Sequence, residues 1–172
     1  MIDPASEEGK KLGALHEKDN LLRGRYLIQA IAIEMIIGDI IALSLCPNED
    51  SRSLFTSLIL NYREFTFGGK TQILKKLMES KHPTIVNKHT EIFGQINKVI
   101  QLRNKLAHCM LDASDEFLAK NYTDRIQLRY YDRKGHMQTK EITDTEIREK
   151  LRNCTVLMIK LDQIRSEITQ SK

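Results

Sequence analysis

Apolar positions recur at helical spacing along most of the chain, and the first long run is the densest. From about Lys18 to Cys46 the N-terminal third is amphipathic, and the rest is apolar nearly all round until Pro47 closes it. Such a helix belongs at a centre or against a second copy of the chain. Asn48, Glu49, Asp50 and Ser51 form a capping cluster for a second helix, about Arg52 to Phe65. Its apolar side would be Leu54, Phe55, Leu58, Ile59 and Tyr62. The Gly68-Gly69 pair is expected to break the chain, which resumes as a short helix over Thr71 to Ser80. After His82-Pro83 a long helix is predicted from about Thr84 to Leu111. Ile85, Ile92, Phe93, Ile96, Val99, Ile100, Leu106 and Ala107 form its apolar stripe.

The period then changes. Ile126, Leu128 and Tyr130 alternate, Gly135 sits where a turn needs positive φ, and "HMQTKEI" returns, so residues 125–142 read as a β-hairpin. "TDTE", Thr143 to Glu146, is a capping box for a last helix. Ile147, Leu151, Cys154, Met158, Leu161 and Ile168 give that helix a near-heptad seam. The fold class expected is all-α: an antiparallel four- to five-helix bundle with a small hairpin inserted before its last helix. One domain over 16–172 would follow a flexible polar segment, 1–15.

Composition narrows the function. The chain has 172 residues, 29% of them charged, and a net charge of +4, which suits helices with solvated faces. No Trp and 6% aromatics leave little material for a base-stacking surface for single-stranded nucleic acid. Cys46, Cys109 and Cys154 are odd in number and far apart, as expected of free thiols in a reducing, cytoplasmic setting. Leu27 to Cys46 is long enough to tempt a membrane reading, but Glu34 and Asp39 interrupt it, each costing about 2.5–3.5 kcal/mol at mid-bilayer. His16, His82, His89 and His136 lack metal-ligand spacing, and no cofactor is implied. "GGKT" lacks the first glycine of a phosphate loop, because position 64 is Glu64. The excess charge is concentrated: Arg125, Arg129, Arg133, Lys134 and Lys140 face the single acid Asp132 within one short stretch. These five are the candidate RNA-binding residues, with a solvated hairpin as the competing reading. Tyr130-Tyr131 would stack on a base or, more simply, pack on the strand.

"RNKLAH", Arg103 to His108, carries the chemistry. Stepping by threes and fours from Ile92 reaches Ile96, Val99, Arg103 and Leu106, so Arg103 falls on the apolar stripe. An arginine there needs a charge partner, a phosphate or a wet interface. His108 lies about 140° further round, near a helix C-terminus whose dipole favours imidazolium. A fixed cation and a proton-passing imidazole bordering one cleft suit phosphodiester chemistry. His108 and the adjacent Cys109 diverge by about 100° and cannot form a nucleophile–base dyad with each other.

An R-x4-H motif with a polar residue after the arginine, near the end of the penultimate long helix, resembles the HEPN superfamily. "FTFGGKTQILKKL" is similar to an F-G-x-K-x-x-L-L stretch of some prokaryotic HEPN-like proteins. The likeness covers about Leu21 to Leu111 and the last helix. It implies a metal-independent endoribonuclease, a hydrolase of toxin–antitoxin, phage-defence or RNA-processing type. Such an enzyme acts as a homodimer with a shared cleft, and an antitoxin or defence protein is a further partner. Arg103 would stabilise the scissile phosphate, His108 would be the acid/base for 2′-OH attack, and Asn104 would orient one of them. Glu34 is the first-helix acid that would support the site, with helix packing as its competing role. Relatives paired with nucleotidyltransferase antitoxins carry a tyrosine two residues after the histidine, where this chain has Met110. The alternative function is a non-catalytic helical module that binds RNA or a protein.

Overall fold

The computed structural model describes residues 3, 5–62, 64–120, 122–132 and 134–170. The fold is dominated by helices: α1 (Glu7–Leu45), α2 (Glu49–Phe55) continued by a π-helical turn (Thr56–Leu60), α3 (Phe67–Lys81), α4 (Pro83–Lys88), α5 (Ile92–His108), α6 (Asp115–Ala119) and α7 (Asp144–Gln170). Strands β1 (Met110–Leu111), β2 (Arg125–Tyr131) and β3 (Met137–Thr143) form an antiparallel sheet in the order β1-β2-β3. The residues fall into two compact units, Met1–Ile28 with Arg103–Arg152, and Gln29–Leu102 with Asn153–Lys172.

The first unit begins with helix where a flexible segment is expected. Ser6 Oγ accepts from the Gly9 amide at 3.0 Å, Glu7 and Glu8 occupy the first turn, and Lys11 pairs with Glu7 one turn on. This is an ordinary N-cap with acids at the positive dipole end, so α1 starts well before Lys18 and Leu15 is buried. The hairpin gains a third strand. Met110 and Leu111 pair with Arg129 and Leu128, which ends α5 at His108 instead of Leu111. Ile126, Leu128 and Ile142 form the buried face of the sheet. Gly135 turns the hairpin at φ +80°, a value that disfavours residues with a Cβ. At the start of α7 the capping box is reciprocal: Glu146 N donates to Thr143 Oγ1 at 3.2 Å and Thr143 N to Glu146 Oε2 at 2.9 Å.

The second unit buries Ile33, Ile37, Ile40 and Ile41 of α1, Leu74 and Met78 of α3, Ile92 and Ile96 of α5, and Leu157, Leu161 and Ile164 of α7. Three expectations change here. The second helix is short, and of the predicted apolar side Leu54, Leu58, Ile59 and Tyr62 are exposed and Phe55 is half-buried, while Leu60 is buried. The cause is the π turn, in which Asn61 N bonds to Thr56 O. A bond across five residues shifts the register and turns a different residue inward. Gly68 and Gly69 sit inside the first turn of α3, whose cap is Thr66 Oγ1 accepting from Gly69 N at 3.1 Å. The long helix predicted from Thr84 breaks between α4 and α5, where His89 leaves the helical region at φ −121°, ψ 42°.

By length and composition α1 could cross a membrane, and half of its most apolar window is buried within the protein. The core helix of a soluble protein has the same character. All three cysteines are buried thiols outside any disulfide.

Candidate active site at the end of α5

Ile96, Val99 and Leu106 are buried along α5, and Arg103, on the same stripe, is half-buried. Its Nη1 donates to Asn104 Oδ1 at 3.1 Å. Among the described residues no carboxylate lies within ion-pair distance of Arg103, so its guanidinium meets an amide and not an acid. His108 is exposed, five residues on, as the last residue of the helix. An anion lying along this end of α5 would meet a fixed cation and a titratable imidazole.

The last carbonyls of a helix have no partners within it. Here Arg23 of α1 partners one of them, Leu106 O, and the carbonyl of Cys109 just past the helix end. Its Nη1 donates to Leu106 O at 2.8 Å and to Cys109 O at 2.5 Å, while its Nε donates to Asp19 Oδ1 at 2.6 Å. The two side chains are largely buried, with 16% and 8% of their surface exposed. This pair holds the turn that carries His108, and it escaped the sequence reasoning. Its signal was an Asp and an Arg at i and i+4 on the amphipathic part of α1. A second tie comes from Lys105, whose Nζ stands 5.8 Å from the centroid of the Tyr130 ring.

Burial pushes the Cys109 thiol up from its ordinary value, against the opposing pull of Arg23 and Lys105. That keeps it protonated and a packing residue. Asp112 is 2% exposed and forms a 2.7 Å ion pair with Arg129. Burial alone would raise its carboxyl, but the amide and hydroxyl of Ser114 and the Arg129 guanidinium outweigh burial and hold it below the usual carboxylate range.

The residues singled out from the sequence divide. Arg103, Asn104 and His108 share the last two turns of α5 in the first unit. Glu34 belongs to the second unit, where it accepts from the buried Lys70 Nζ at 2.8 Å. Of the basic stretch, Arg125 pairs with Asp124 at 3.0 Å and Glu141 at 3.2 Å and lies over the Tyr122 ring, and Arg129 pairs with Asp112. Lys134 and Lys140 are exposed, and Arg133 lies outside the described residues. Two of the five cations are therefore matched by acids, which lowers the positive field expected of the hairpin. Among the described residues no group of three or more His, Cys, Asp or Glu side chains could hold a metal ion.

No family model matches the chain, and no curated protein or solved structure matches it.

Proposed function

We propose that the chain is a HEPN-like, metal-independent endoribonuclease of the cytoplasm, acting as a homodimer. The observation that carries this reading is Arg103, a half-buried arginine with no carboxylate partner among the described residues, five positions before an exposed histidine at a braced helix end. A buried-side guanidinium of this kind calls for an anion, and a phosphate satisfies it with two parallel hydrogen bonds. Once the phosphate is seated, His108 takes the proton of the neighbouring 2′-OH as that oxygen attacks phosphorus. The P–O5′ bond breaks, and the 5′-oxygen leaves with the proton returned by the imidazolium. The products are a 2′,3′-cyclic phosphate and a 5′-hydroxyl. Arg103 stabilises the charge that grows on the phosphorane, and Asn104 holds the guanidinium.

This reading takes α1, α5 and α7 as the long members of an antiparallel four- to five-helix bundle. The dimer is supported by α1, where Leu21, Ile28, Ile31 and Met35 are exposed at intervals of three, four and seven residues. An antitoxin or defence-system protein is the further partner the resemblance implies.

The test is incubation of purified protein with total cellular RNA in EDTA, beside His108→Ala and Arg103→Ala. Fragments ending in 2′,3′-cyclic phosphate from the parent protein alone are expected. Equal cleavage by His108→Ala after repurification would overturn the assignment. Intact RNA in every lane, with binding retained, would favour the non-catalytic module.

A further inference from the structure

The exposed face of the sheet adjoins the helix end that carries His108. Opposed residues in antiparallel strands point to the same side, and successive residues alternate. Met110 lies opposite Arg129, Arg129 opposite Thr139, and Tyr131 opposite Met137. These five therefore share the face turned away from the buried Ile126, Leu128 and Ile142. Met110, Tyr131 and Met137 are 58%, 65% and 55% exposed, which for three large apolar side chains on one short sheet is a costly surface to leave bare. Tyr130 behaves differently: it is half-buried, with Lys105 above its ring.

The electrostatics of this face select among possible occupants. Asp112 is sealed beneath Arg129, whose side chain keeps 33% of its surface exposed while its Nε is buried without a hydrogen-bond partner. The rows Met110–Arg129–Thr139 and Tyr131–Met137 contain no acid, and Glu141, opposite Gln127 in the next row of the same face, is paired with Arg125 at 3.2 Å. Met110 follows His108 by two residues, at most about 7 Å of chain. Tyr131 is the diagonal neighbour of Met110, about 7–8 Å away across the strands. The backbone that carries the exposed Tyr131 ring thus lies within about 15 Å of the backbone that carries His108, a reach of a few nucleotides.

We propose that this face is a base-binding platform for single-stranded RNA. An unpaired base stacks on Tyr131, Met110 and Met137 bracket it, and Arg129 meets the adjoining phosphate. Soft thioethers beside an aromatic ring accept any base, so the platform selects unpaired over paired RNA and not one sequence over another. The proposal rests on the ribonuclease reading for its purpose, but its binding step can be measured without cleavage.

The experiment uses the full-length His108→Ala protein and a short single-stranded oligoadenylate with 2-aminopurine at one position. Binding is followed by anisotropy and stacking by quenching of the aminopurine. Adding Tyr131→Ala is expected to weaken binding about tenfold and remove the quenching, and Tyr131→Phe is expected to keep both. Unchanged affinity and quenching with Tyr131→Ala would overturn the platform even if the parent protein cleaves RNA. Tyr131-dependent quenching in a protein that never cleaves would uphold the platform while the nuclease reading falls. If sedimentation shows that Tyr131→Ala turns a dimer into a monomer, the face belongs to a second copy of the chain and the proposal is wrong.

Discussion

Arg23 Nη1 donates to the carbonyl oxygen of Leu106 at 2.8 Å, from a guanidinium that also reaches Cys109 O and Asp19. One side chain thus satisfies a carbonyl in the last turn of α5, the carbonyl just past its end and a buried carboxylate on its own helix. His108 lies between the two carbonyls in sequence, so its backbone is pinned on both sides. Removing Arg23 would leave Asp19 buried and unpaired in addition to the bare carbonyls.

Arg23→Ala is accordingly expected to destabilise the protein by about 3–5 kcal/mol, the range for breaking a buried pair from one side. Arg23→Lys keeps the charge but loses the planar fork, and should cost about 1–2 kcal/mol. Urea titration measures both. Equal stability for Arg23→Lys and the parent would mean that the second carbonyl bond contributes nothing.

Arg103→Lys separates charge from shape at the candidate site. A lysine keeps one positive charge on the stripe but cannot grip a phosphate with two parallel bonds. Cleavage of RNA should fall about 100-fold or more, as on loss of one oxyanion donor, while the urea midpoint moves little. Activity within twofold of the parent would show that Arg103 supplies only a diffuse charge.

Much of this arrangement was legible where the signal is local. Thr143 and Glu146 lie three apart and bond each other, Gly135 is the residue a positive φ requires, and Arg103 lies half-buried on the stripe of α5 where the spacing puts it. What escaped depended on partners distant in sequence or on backbone register. A two-residue strand such as Met110–Leu111 has no pattern of its own and exists only because β2 lies beside it. Leu60 turns inward through a bond across five residues that no helical period anticipates. Arg23 and Asp19 read as one more surface pair until the carbonyls of a helix more than eighty residues away are placed against them. The Ser6 cap was readable, and the small polar residues around it hid it.

Gly13→Ala tests that early start of α1. Gly13 lies inside the helix, a Cβ there would meet nothing within 4 Å, and alanine is favoured over glycine in a helix by about 1 kcal/mol. A gain of about 0.5–1 kcal/mol in urea unfolding is expected. No change, or a loss, would place residue 13 in a frayed segment that does not fold with the rest.

Thr143→Ala removes the hydroxyl that accepts the Glu146 amide at the start of α7. A loss of about 1 kcal/mol is expected, with faster amide exchange confined to the first turn of α7. Exchange that quickened throughout the hairpin would show that the cap holds β3 as much as the helix.

Asp112 gives the stability a defined response to acid. Its carboxyl is held below the ordinary value near 3.9 by Ser114 and Arg129, in spite of burial. The unfolded chain therefore binds this proton at a higher pH than the folded one. The stabilisation is complete above the unfolded value and drains away as pH falls through the lower folded value. Replacing Asp112 by asparagine removes that dependence but leaves Arg129 without its anion. The variant should be less stable than the parent at pH 7 and should lose less stability as the pH is lowered from about 5 to 3. Urea unfolding of both proteins across that range decides it. If the two stability curves run parallel, Asp112 ionises alike in the folded and unfolded chains, and the pair with Arg129 contributes nothing to acid sensitivity.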